Sequence, residues 1–224
     1  VKDNAVILFL RIPEKGKVKT RLAVDIGEDL AYDLYLCFVK DTLATLQSLD
    51  ADVLISCTGR DSAFFRDLFG DTPCMVQRGN DLGGRMRNAF RDAFLMGYAR
   101  VALIGSDIPG ITLDALYTAF HELSGHDVVF GPSLDGGYYL IALKAGGADE
   151  SLFTDIPWGT TRVLDETVKR VQQRGMRVFF LTECEDIDDL DGLKRLYENQ
   201  VRDGVLSNTR LCVDRYKERI YGTI

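Results

Sequence analysis

The chain has 224 residues, 46% hydrophobic and 27% charged, with a net charge of −7. That length suits one α/β domain with a real core, and the acidity excludes nucleic acid as the main partner. No apolar run approaches the ~20 residues needed to cross a bilayer, and the first residues do not read as a signal peptide, so a cytoplasmic protein with no membrane partner is expected.

Strand-like and helix-like segments alternate along the chain. Residues 5–10 (AVILFL) form a continuous apolar run, the pattern of a buried strand. Residues 11–22 read as a loop, and 27–49 carry apolar residues at helical spacing. Segments 52–57 and 74–77 read as strands, with a helix over 62–69 between them. A helix over 82–98 leads to the strand that starts at Val101. Thr112 caps the next helix. Strands over 127–130 and 138–143 lie too close in sequence for a crossover helix, so a hairpin-like loop joins them and the sheet is mixed. A helix over 161–174, a last strand over 176–181 and a helix over 188–200 follow. The pattern predicts a three-layer α/β/α sandwich with a mixed, mostly parallel sheet. Residues 1–200 read as one domain. Residues 201–224 read as a tail packed on the body or on a second subunit, which leaves a homodimer open. The five cysteines are scattered and show no C-x-x-C spacing. They read as reduced core thiols and not as a disulfide framework or a zinc site.

Ligands in open α/β sheets bind beyond the carboxyl ends of the strands, and the candidate chemistry concentrates in those loops. The first loop, Arg11 to Leu22, holds five basic residues against one acid in a chain that is acidic overall. Arg11, Lys15, Lys19 and Arg21 suit a di- or triphosphate, with Gly16 allowing close backbone approach and Thr20 beside them. The G-K-[ST] ending of a Walker loop is absent. Gly105-Ser106-Asp107-Ile108-Pro109 places a carboxylate at a strand tip. Asp107 there either caps a turn or holds a metal–phosphate group. Asp135, in the hairpin loop, would face the same crevice if the strands before Asp107 and Asp135 are parallel neighbours. The two aspartates then suit Mg²⁺ or Mn²⁺, a hard ion held by carboxylates and substrate phosphates. Gly136 and Gly137 leave room for a bulky ligand. Asp81 opens a helix, either as its cap or beside an anion. Trp158 either stacks on an acceptor or packs in the core. In the acidic segment 184–189, Asp189 is expected to cap the last helix, and Asp186 is a candidate base.

Lys17-Val18-Lys19-Thr20-Arg21-Leu22, Gly105-Ser106-Asp107-Ile108-Pro109, Gly131-Pro132-Ser133-Leu134-Asp135-Gly136-Gly137-Tyr138-Tyr139-Leu140 and Trp158-Gly159-Thr160-Thr161 together resemble the bacterial DUF2064 family. That family lies in the nucleotide-diphospho-sugar transferase (glycosyltransferase type A) superfamily. The resemblance spans Ala5 to about Asn199. It implies a nucleotide or nucleotide-sugar donor at the first loop, a divalent metal near Asp107, and a small-molecule acceptor, here placed beside Gly136, Gly137, Tyr138 and Trp158. Lys19, Arg21 and Asp186 become the candidates for catalysis. The chain departs from the superfamily's G-x-G-T-R and D-x-D patterns, keeping Thr20-Arg21-Leu22 of the first and one aspartate of the second. Sugar transfer and nucleotidyl transfer to a phosphorylated small molecule both fit these parts, as does a nucleotide-binding protein without turnover.

Overall fold

The computed structural model describes residues 3–59, 67–146, 150–200 and 207–222. Seven strands form one sheet: β1 (Asn4–Leu10), β2 (Asp52–Cys57), β3 (Cys74–Val76), β4 (Arg100–Gly105), β5 (Val128–Pro132), β6 (Tyr138–Lys144) and β7 (Val178–Phe180), in the order β3-β2-β1-β4-β6-β5-β7. β6 runs antiparallel to β4 and β5, and every other pairing is parallel. The helices are α1 (Thr20–Ile26), α2 (Glu28–Gln47), α3 (Leu82–Leu95), α4 (Leu113–Glu122), α5 (Val163–Gln173), α6 (Leu190–Gln200), α7 (Ser207–Arg215) and α8 (Lys217–Tyr221). The result is the mixed, mostly parallel α/β fold that the alternation predicts. The helix read over 62–69 lies largely outside the described residues.

The central strands are hydrophobic throughout because both faces are covered. Val6, Leu8 and Ile104 face α2 and α4, while Ile7, Val101 and Leu103 face α3. A third apolar cluster joins Leu22 and Ile26 of α1, Leu34 and Phe38 of α2, Leu193 of α6, and Val213 and Ile220 of α7 and α8. The C-terminal helices therefore pack on the first two. Asp41, only 2% exposed on α2, anchors them. Its carboxylate accepts hydrogen bonds from Asn208 N, Asn208 Nδ2 and Thr209 N at 2.8–3.0 Å, which caps the start of α7. No helix among the described residues is long and apolar enough to cross a membrane.

Two expectations need correction. The strands before Asp107 and Asp135 are parallel but not neighbours, because the hairpin lays β6 between them. Their carboxyl ends still share one edge of the sheet. The first loop is also shorter than read, because Thr20 begins a two-turn helix, too short for its apolar residues Leu22 and Ile26 to stand out as a period.

Candidate active site

A cleft of about 710 Å³ opens at the carboxyl edge of β1 and β4. One wall is the basic loop and the start of α1, supplying Arg11, Lys17, Lys19, Thr20 and Arg21. The opposite wall is one face of α3, where Leu82, Arg85 and Met86 recur at helical spacing. Gln77, Asp107, Tyr138 and Asp188 also line it.

The loop after β1 is tied to the loop after β4 by Tyr35. Its hydroxyl donates to Arg11 O and accepts from Ser106 Oγ, each at 3.1 Å. Burial pushes this phenol up to about 12, so it stays a neutral linker. Lys19 then takes a left-handed backbone, φ 47° and ψ 46°, just before α1. Its side chain is 3% exposed, with Nζ 2.5 Å from Asp107 Oδ1 and 3.2 Å from Asp188 Oδ1. Arg21 reaches Asp188 more loosely, at 3.6 Å, and is largely exposed.

The segment after β7 completes the site. Cys184 N donates to Pro132 O, Leu134 N donates to Cys184 O, and Ile187 N donates to Asp107 O. These bonds thread 184–187 between the β5–β6 turn and the loop after β4. Asp186 consequently comes within electrostatic reach of Asp135, Asp107 and Asp188. Burial and the three negative neighbours push its carboxyl up to about 7, against the opposing pull of Lys19. Its Oδ1 is buried without a hydrogen-bond partner. Asp189, as expected, caps α6 by accepting from Gly192 N at 2.8 Å.

Other sequence candidates lie elsewhere. Lys15 pairs with Asp29 of α2 at 2.7 Å and does not line the cleft, because the acidic first turn of α2 draws it away. Gly16 serves a turn at φ 75°, also outside the cleft lining. Asp81 caps α3, accepting from Gly84 N at 2.7 Å, and borders a separate hollow of about 300 Å³. Gly136 leaves no room for a ligand: at φ 85°, a Cβ there would sit 2.1 Å from Thr161 O. Gly137 N donates to Asp135 Oδ1 at 2.9 Å, closing the turn. Trp158 packs edge-on to Tyr138 at 6.4 Å and against Gly83, where only a missing side chain lets the indole approach. Tyr138 lines the cleft but also packs at a tilt against Phe130 in the core. Gln77 and Arg85 were not singled out from the sequence. Gln77 Nε2 donates to Leu10 O and Ser56 O at 3.0 Å, which closes the ends of β1 and β2 and leaves its amide oxygen free. Only their places, just after a short strand and one helical turn beyond Leu82, could have marked them.

Residues 39–160, more than half of the chain, match the family model described as "Uncharacterized protein conserved in bacteria (DUF2064)". A solved structure from Desulfovibrio desulfuricans G20, provisionally named a nucleotide-diphospho-sugar transferase, is 33% identical over 98% of this chain and 97% of that one, with a TM-score of 0.94. The chain belongs to the DUF2064 family. Two more distant structures share the fold of this DUF2064 chain. A nucleotidyl transferase from Methanothermobacter is 16% identical over 88% of this chain and 98% of that one, with a TM-score of 0.60. Rv0371C of Mycobacterium tuberculosis H37Rv, in complex with manganese, is 17% identical over 87% and 98%, with a TM-score of 0.51. No curated protein matches the sequence.

The two aspartates read from the sequence as metal ligands both have partners in the fold. Lys19 engages Asp107 Oδ1, while Ser133 Oγ and Gly137 N engage Asp135 Oδ1. Among the described residues, no three carboxylate, histidine or cysteine side chains are gathered closely enough to hold an ion. The Asp107 and Asp135 carboxylates both act electrostatically on Asp186, whose Oδ1 is buried without a hydrogen-bond partner. Carboxylate oxygens such as those of Asp107 and Asp135, completed by substrate phosphates, are the donor type that a hard divalent ion takes.

Proposed function

We propose that the chain is a transferase that moves a glycosyl group from a nucleotide sugar to a small acceptor. The observation that carries this reading is a cationic lip (Arg11, Lys17, Lys19, Arg21) that shares one cleft at the strand ends with the carboxylates of Asp107 and Asp188; Asp186, which feels both charges, is not among the lining residues. The lip suits the donor's diphosphate. Arg85, on the opposite wall, has no ion-pair partner among the described residues and suits a second anionic contact. Asp107, with Asp135 as the second candidate carboxylate, would hold Mg²⁺ or Mn²⁺, which supplies charge neutralisation for the diphosphate leaving group.

Asp186 is the proposed base. Its carboxyl titrates near neutrality, where a general base is most effective. In the inverting form of the reaction, the acceptor oxygen bonds to the anomeric carbon, the bond from that carbon to the phosphate oxygen breaks, and the acceptor proton passes to the Asp186 carboxylate. Nucleoside diphosphate departs against Lys19 and Arg21.

Nucleotidyl transfer to a phosphorylated molecule is the second reading, favoured by Arg85 as a further anion contact. Incubation with labelled nucleotide sugars, and separately with nucleoside triphosphates plus phospho-acids, tests both. Release of nucleoside diphosphate supports sugar transfer. Pyrophosphate supports nucleotidyl transfer. Binding with no product across a wide acceptor panel favours a nucleotide-binding protein instead.

A further inference from the structure

We propose that the Lys19 ammonium is a tethered occupant of the divalent-cation position, so that metal enters together with the nucleotide and not before it. The inference rests on the transferase reading above and adds an order of binding to it.

The geometry around Lys19 is unlike that of its neighbours on the same lip. Lys15 and Lys17 are 61% and 71% exposed and pair with surface acids. Lys19 is 3% exposed and touches two carboxylates, Asp107 and Asp188. Its ammonium lies 6.0 Å from the Phe38 ring centroid, which supports a cation from the apolar side. The backbone is bent to put it there: φ 47° is a left-handed conformation that a lysine adopts only at some cost. A buried ammonium on Asp107 Oδ1 takes up a half-exposed negative charge of the cluster. A divalent ion arriving alone meets that ammonium at close range and is repelled by it.

A bound diphosphate changes the balance. Lysine is a compact point charge on a flexible stem with three donors, so it can exchange one oxygen partner for another with little rearrangement. Thr20 and Arg21, directly after it, line the same cleft. Phosphate oxygens seated there give the ammonium a new partner and free Asp107 for the metal that the same phosphates bring. Metal and nucleotide then raise each other's affinity, as linkage requires.

The test measures protein-bound Mn²⁺ by equilibrium dialysis, read by electron paramagnetic resonance, with pyrophosphate as a base-independent probe. With Mn²⁺ alone, Lys19→Met should bind at least tenfold tighter than wild type. Ethylammonium added to Lys19→Ala should compete with Mn²⁺, and Asp107→Asn in the Lys19→Met background should abolish the gain. In wild type, pyrophosphate should raise protein-bound Mn²⁺ at least tenfold, a measurement that needs no variant to fold. Equal Mn²⁺ affinity of wild type and Lys19→Met, weaker binding by the variant, or tight binding by wild type without pyrophosphate would overturn the proposal while leaving the metal site standing. No bound Mn²⁺ in any protein, with or without pyrophosphate, would remove the metal itself and the proposal with it.

Discussion

Asp41 and Asp186 are both withdrawn from water, and they are handled in opposite ways. Asp41 receives three N–H donors at the start of α7 and joins two helices. Asp186 has a buried oxygen with no donor and three carboxylates within electrostatic reach. A carboxylate with all its hydrogen bonds made is a structural part. One left short of partners among like charges is held there by the rest of the fold, and such unrelieved positions mark functional sites. Packing shows the same contrast: α7 and α8 close a third apolar cluster, while the cleft at the strand ends gathers charged side chains beside apolar ones.

The largest effect that would break this contrast is on turnover. Asp186→Asn should lower the rate about 10²- to 10⁴-fold, the usual worth of a positioned base, with the fold intact by circular dichroism. A rate within twofold of wild type would return Asp186 to a structural role. Next is Asp41→Ala, which leaves buried N–H donors unpaired and should cost about 3 kcal/mol in denaturant unfolding. A loss under about 0.5 kcal/mol would mean that solvent replaces the carboxylate there.

A subtler effect concerns pH. The Asp186 carboxyl is raised in the fold from an ordinary 3.8 to about 7, so folding favours its protonated form. The stability it lends is fully present below about pH 4 and is lost as pH rises through about 7. In the presence of EDTA, the melting temperature of wild type should therefore fall relative to that of Asp186→Asn between those limits, and the variant should be the more stable protein at pH 8. Parallel curves would show that the carboxyl is not under strain. The smallest expected effect is that of Lys15→Ala. Its ion pair with Asp29 is exposed and outside the cleft, so nucleotide affinity by calorimetry should be unchanged. A marked, salt-dependent loss would return Lys15 to the phosphate site.

Much of this was legible in the chain. The apolar runs at β1 and β4, covered on both faces, identify themselves as buried strands without reference to anything distant. The short hairpin between β5 and β6 follows from the length of the connection alone. The basic loop announces itself by charge, and Asp107 by standing at a strand tip. The differences between sequence and structure have a common cause. Lys15 and Lys19 share a loop, and sequence does not say which lysine turns toward α2. A glycine such as Gly136 suggests open space, yet the backbone of Thr161 fills it from 25 positions away.

The sequence by itself determined the class of fold, the strand ends at which chemistry collects and the sign of charge on each loop, because these depend on periodicity and composition over a few residues. The tertiary structure alone decided that β6 separates β4 from β5, that Lys19 and not Lys15 is buried against Asp107, and that Asp186 comes within electrostatic reach of three other carboxylates. Those outcomes depend on how segments from about 35 to about 170 residues apart are brought together by the packing of the core. Local patterns carry no record of such distances, whereas the electrostatics of a site is set by them.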